Sequence, residues 1–103
     1  MNINFKYDGV KASNRLEIMA AQRIEKLFDK FDFIVRADVF FKTENTSDPD
    51  TGMICNVRLS IPGPRLFAES SNSSFEASIA ESTIDLERQL QKRKSKMRAH
   101  YSK

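Results

Sequence analysis

A side chain that does acid–base or nucleophilic work must be held within hydrogen-bond reach of its substrate, and this 103-residue chain offers few groups for that task. Its one histidine, His100, stands in a basic C-terminal stretch with no core residues around it to fix its position. Its one cysteine, Cys55, falls in the alternating run Met53, Cys55, Val57, Leu59, Ile61, which places it on an apolar face as a small buried hydrophobe. One Cys and one His so placed assemble neither a nucleophile–base pair nor a four-ligand zinc site, and a lone cysteine excludes an intrachain disulfide. Asp48 and Asp50 flank Pro49 without a third ligand, the pattern of a solvated loop and not of a divalent-cation site. No glycine-rich phosphate loop is present. The chain is expected to be no enzyme and to need no cofactor or metal.

The cations carry more information, because they have an arrangement as well as a count. Arg23, Lys26 and Lys30 recur at three and four residues, which makes one stripe on a helix, with Arg15 at its N-terminal extension. Glu17, Glu25 and Asp29 are interleaved with them, so a mixed-charge solvated face is the plain alternative there. Further on, Arg88, Lys92 and Lys96 are each four apart, flanked by Arg93, Lys94 and Arg98. Residues 1–87 carry 10 basic and 14 acidic side chains, whereas residues 88–103 carry 7 basic and none acidic, so a mildly acidic body ends in a strongly basic segment. Like charges at i, i+4 cost a helix a few tenths of a kcal/mol per pair, which its C-terminal dipole returns only in part. An acid-free run of this kind points to a polyanionic partner. If the two helices lie side by side, their rows can line one surface on the scale of phosphate spacing.

These stripes need elements to carry them. Ile3, Phe5 and Tyr7 alternate with polar residues as in a half-buried strand, which Asp8-Gly9 ends. From Ser13, the expected N-cap, Leu16, Ala20, Ile24, Leu27, Phe28 and Phe31 keep helical spacing, predicting a helix over 13–30. Val35, Ala37, Val39 and Phe41 give a second strand, residues 44–52 a loop, and the run from Met53 to Ile61 a third strand. Pro62-Gly63-Pro64 turns the chain into a short strand over 65–69, and Ser73 with Glu76 reads as a capping box for a helix from about Ser74 to Lys96 along Phe75, Ile79, Thr83, Leu86, Leu90 and Met97. The order β-α-β-β-β-α predicts one α+β domain over residues 1–103: a four-stranded, largely antiparallel sheet, both helices on one face, and a basic tail from about residue 97. The length supports one two-layer core without staples. No apolar run approaches a membrane span and no signal peptide opens the chain, so a cytoplasmic location is expected.

The segment Leu86-Glu87-Arg88-Gln89-Leu90-Gln91-Lys92-Arg93-Lys94-Ser95-Lys96, preceded by Phe75-Glu76-Ala77-Ser78-Ile79, resembles the second helix of the bacterial ribosome hibernation promoting factor family. That family includes the ribosome-associated translation inhibitor and has also been called the sigma-54 modulation protein family. Arg23-Ile24-Glu25-Lys26-Leu27 is similar to its first helix, and the likeness spans essentially the whole chain. The resemblance implies a fold akin to a double-stranded RNA-binding domain. It also implies binding to the 30S ribosomal subunit and its 16S rRNA in the decoding channel, and inhibition of translation in stationary or stressed cells by blocking mRNA and tRNA sites. By the same resemblance Arg23, Lys26, Arg88, Lys92, Arg93, Lys94 and Lys96 would contact ribosomal RNA, and the stripes add Lys30 and Arg98. The family's usual Lys before L-E-R-Q-L is Asp85 here, its Tyr near the helix start is Glu76, and the Asp after the Ile is Ala80. Long members carry a second, ribosome-dimerising domain. This chain ends at Lys103, so dimerisation is expected only with a separate partner factor. Neither membrane nor DNA is an expected partner. The alternative is a protein-interaction module that docks its basic helix on an acidic partner protein.

Overall fold

The computed structural model of the chain describes the backbone of residues 2–101 and the side chains of residues 2–97. Strands β1 (Ile3–Asp8), β2 (Arg36–Thr43), β3 (Met53–Ser60) and β4 (Leu66–Asn72) alternate with helices α1 (Asn14–Lys30) and α2 (Phe75–Tyr101) in the predicted order β-α-β-β-β-α. The sheet order is β1-β2-β3-β4. Because α1 carries the chain back between them, β1 runs parallel to β2, with Phe5 beside Val39. The short connections after β2 and β3 make the other two pairings antiparallel, aligning Val39 with Val57 and Val57 with Ala68.

Strand alternation sends Ala37, Val39, Phe41, Cys55, Val57, Leu59, Leu66 and Ala68 to one face. Leu16, Ala20, Ile24 and Leu27 of α1 and Ile79, Leu86 and Leu90 of α2 close over them in one core. Each fully buried Leu, Ile or Phe contributes about 1.5–3 kcal/mol. Ser13 caps α1 as expected, its Oγ accepting from Leu16 N at 3.3 Å. Tyr7 fastens β1 to this helix, its hydroxyl donating to Glu17 Oε2 at 2.6 Å.

Some details differ from the sequence reading. Val35 is 62% exposed, although its N–H donates to Ser60 O at 2.8 Å; Phe31 and Ile34, from the α1–β2 connection, fill the core at that end. Met53, predicted on the apolar face, is also exposed, at the start of its strand. The serine-rich stretch continues β4 to Asn72, since its hydroxyls find partners: Ser70 Oγ lies 3.0 Å from Ser82 Oγ in a hydroxyl–hydroxyl hydrogen bond, and Gly52 N donates to Ser71 Oγ at 2.8 Å. The α2 cap is Ser74, whose Oγ accepts from Ala77 N at 3.2 Å, so the pair Ser73 and Glu76 is one residue out of phase. The α2 backbone stays helical to Tyr101, five residues beyond Lys96, which places the start of the expected tail inside the helix.

Candidate nucleic-acid interface

α1 and α2 lie side by side, and the phase of each helix decides which cations meet. With Leu16, Ala20, Ile24 and Leu27 buried, Arg23 and Lys26 come to line a groove of about 380 Å³ between the helices. Its floor includes Leu27 and Thr83, and its far wall is Ile84 and Glu87 of α2. Lys30, one turn beyond Lys26, crosses the groove and reaches Glu87 Oε2 at 3.3 Å. Both partners are half exposed, so this pair contributes little stability and leaves Lys30 exchangeable. At the same end, Lys30 Nζ and Lys94 Nζ stand 5.8 and 5.7 Å from the centroid of the Phe31 ring. Arg23, Lys26, Lys30 and Lys94 therefore form one group.

The remaining cations of α2 divide. Lys92 and Lys96 are exposed on the helix surface. Arg88 is exposed too, but it borders a depression on the β4 side of α2 with Glu69, Glu81 and Asp85, where carboxylates outnumber it. Arg93 turns to the β3–β4 connection, its Nη1 donating to Pro62 O and Pro64 O at 3.2 Å each. Gly63 makes this possible: its φ is +89°, and a Cβ there would come within 3.1 Å of Arg93 Nη1. Arg15 is bound to Glu76 at 2.5 Å, joining the starts of the two helices. This contact, after the carboxylate's own backbone N–H, holds Glu76 below its ordinary pKa. The side chains of Arg98 and His100 lie outside the described residues.

Exposed ammonium and guanidinium groups on two helices offer charge-assisted hydrogen bonds to phosphate oxygens, and nothing in the group favours bond-making chemistry. Burial pushes the Cys55 thiol up to about 12, so at neutral pH it is a thiol under the sheet and not a thiolate. Among the described residues, no three His, Cys, Asp or Glu side chains gather as a metal site, and no helix is long and apolar enough to cross a membrane. Sequence reasoning missed a second cationic feature, on the sheet face turned away from the helices, where Arg58 lies over the Phe40 and Phe67 rings. The signal was available in strand parity, since all three fall out of phase with the core positions.

Residues 3–98 match the model of a family described as "Sigma 54 modulation protein / S30EA ribosomal protein". No curated protein sequence matches the chain. Among solved structures, a ribosomal subunit interface protein from Coxiella burnetii superposes with a TM-score of 0.79 at 20% identity, over 92% of this chain and 99% of that one. The N-terminal domain of Protein Y from Thermus thermophilus superposes with a TM-score of 0.74 at 16% identity, over 89% of this chain and 98% of that domain. At such identities both are likenesses of fold.

Proposed function

The chain belongs to the Sigma 54 modulation protein / S30EA ribosomal protein family, and from that premise we propose that it binds the 30S subunit through 16S rRNA in the decoding channel and inhibits translation. The observation that carries this reading is the meeting of cations from both helices around Phe31, with Arg23 and Lys26 behind them and Lys92 and Lys96 beyond. The mechanism is occupancy. A body held by one continuous core presents a preformed cationic surface, so little ordering is needed when phosphates replace water on it. The bulk of the domain then excludes mRNA and tRNA, and no covalent step is required. In cells this would be a cytoplasmic, stress- or stationary-phase activity. Ribosome dimerisation is not needed for it.

Sedimentation with purified subunits tests the reading. The protein should pellet with 30S particles, pellet less with 50S particles, and stay in the supernatant when the 30S rRNA has been digested with nuclease. Equal pelleting with digested particles would assign the basic helix to an acidic protein partner instead.

A further inference from the structure

The face of the sheet away from the helices bears residues that the helical surface does not use. Phe40 of β2 and Phe67 of β4 both point outward, with β3 between them, and Phe67 is 48% exposed. Arg58 of β3 spans the gap, its guanidinium carbon 5.0 Å from the Phe40 centroid and 5.9 Å from that of Phe67. Lys6 Nζ stands 5.6 Å from the Phe40 centroid on the other side, and Arg65 borders the same shallow depression of about 520 Å³. The outward carboxylates Asp38 and Glu69 are already engaged, by Arg36 at 3.3 Å and Lys42 at 3.8 Å. Lys6, Arg58 and Arg65 enter no ion pair among the described residues, which leaves this face cationic.

Beside Phe40 in the register sits Asn56, only 8% exposed. Its Nδ2 donates to Glu69 Oε1 at 3.2 Å, while its Oδ1 is buried without a partner. An acceptor so buried is out of a ligand's reach, which leaves the rings and the cations as what this face offers. We propose that this face is a second site, for single-stranded RNA, in which unpaired bases stack on Phe40 and Phe67 beside Arg58 and their flanking phosphates meet Lys6 and Arg65. A duplex hides its base faces and would not use the rings; a single strand offers them, and an arginine plane stacks on bases as readily as on phenylalanine. A protein partner fits less well, because Phe67 is the one large exposed apolar side chain on this face among the described residues. The choice of RNA over another single-stranded polyanion rests on the ribosomal reading, but the site itself does not.

The chain has no tryptophan, so Phe67→Trp places a lone indole at the site, excited apart from the two tyrosines. Titration of this full-length variant with a short oligoadenylate should quench its emission by stacking. A GC-rich RNA duplex or inorganic polyphosphate at equal charge should not. Arg58→Gln in the same background should weaken the titration. In the chain without the probe, Phe67→Leu, which keeps the apolar volume and hence the fold, should weaken oligoadenylate binding roughly 5- to 100-fold, the value of one lost aromatic stack. Quenching by polyphosphate as strong as by oligoadenylate, no quenching at all, or a Phe67→Leu variant that binds like the parent would overturn the proposal. No ribosome enters these titrations, so their outcome is independent of sedimentation with 30S particles.

Discussion

Lys30 and Lys94, one from each helix and far apart in sequence, stand 5.8 and 5.7 Å from the centroid of the same phenylalanine ring, that of Phe31. The ring attracts both ammonium groups, and the Glu87 carboxylate at 3.3 Å adds to this for Lys30. The arrangement follows from the core, because Phe31 is buried at the C-terminal end of α1 and α2 passes over it one turn after Leu90. Packing therefore sets the spacing of the charges.

That dependence can be checked at the core itself. Leu59→Ala and Leu86→Ala should each cost about 2–5 kcal/mol in urea denaturation, since both side chains are fully buried between sheet and helix. Val35→Ala should change stability by no more than about 0.5 kcal/mol, because the side chain lies in solvent. A large loss at Val35 would mean that the start of β2 is misplaced.

A polar contact inside the same layer makes a second test. Ser82 Oγ is buried, 3.0 Å from both Cys55 O and Ser70 Oγ, and ties α2 to β3 and β4. Ser82→Ala should destabilise the domain by about 1–3 kcal/mol, as it strips partners from groups that water cannot reach. Thermal melts that coincide for variant and parent would remove Ser82 from the core network.

Strand and helix order, the sheet face and the Ser13 cap were legible because each rests on local periodicity or on one hydrogen bond within a few residues. What the sequence hid depends on tertiary partners. Ser70 and Ser71 look like turn residues until Ser82 and Gly52 are known to lie against them. Spacing places Arg93 among the cations of α2 but does not show that its Nη1 also donates to Pro62 O and Pro64 O of the β3–β4 turn. The spacing of Arg88, Lys92 and Lys96 correctly describes one row on a helix, yet only the placement of β4 shows that Arg88 shares its surroundings with Glu69, Glu81 and Asp85.

Cys55 gives a pH-dependent prediction whose sign follows from burial. Its folded thiol is pushed up to about 12, above the ordinary thiol value near 8.5–9. A raised value means the folded state binds the proton more tightly, so the associated stability is complete below about pH 9 and is lost as pH rises toward about 12. Parent protein should lose urea resistance over that window faster than Cys55→Ala, the comparison cancelling other alkaline titrations. At neutral pH the thiol should react with an aromatic disulfide only as fast as the domain opens. Reaction of the native protein at the rate of a free thiol would contradict its burial.

The last prediction separates the cations by their surroundings. Each phosphate neutralised by Lys or Arg releases counterion, so log affinity for 30S particles should fall with log salt by about 0.7–0.9 per contact. Replacing Arg23, Lys26 and Lys94 together by Gln should make that slope shallower by about two to three units and abolish inhibition of in vitro translation. Glutamine keeps helix propensity, so the fold should persist. Replacing Lys92 alone should cost about one unit. Replacing Arg88 should cost less, since neighbouring carboxylates already compete for its charge. Replacing Lys11 and Lys42, of which the second faces Glu69 across the sheet, should leave the slope nearly unchanged despite the lost charge. Equal weakening by the Lys11 and Lys42 pair and by Arg23, Lys26 and Lys94, charge for charge, would mean that only net charge steers binding and that the meeting of α1 and α2 around Phe31 has no part in it.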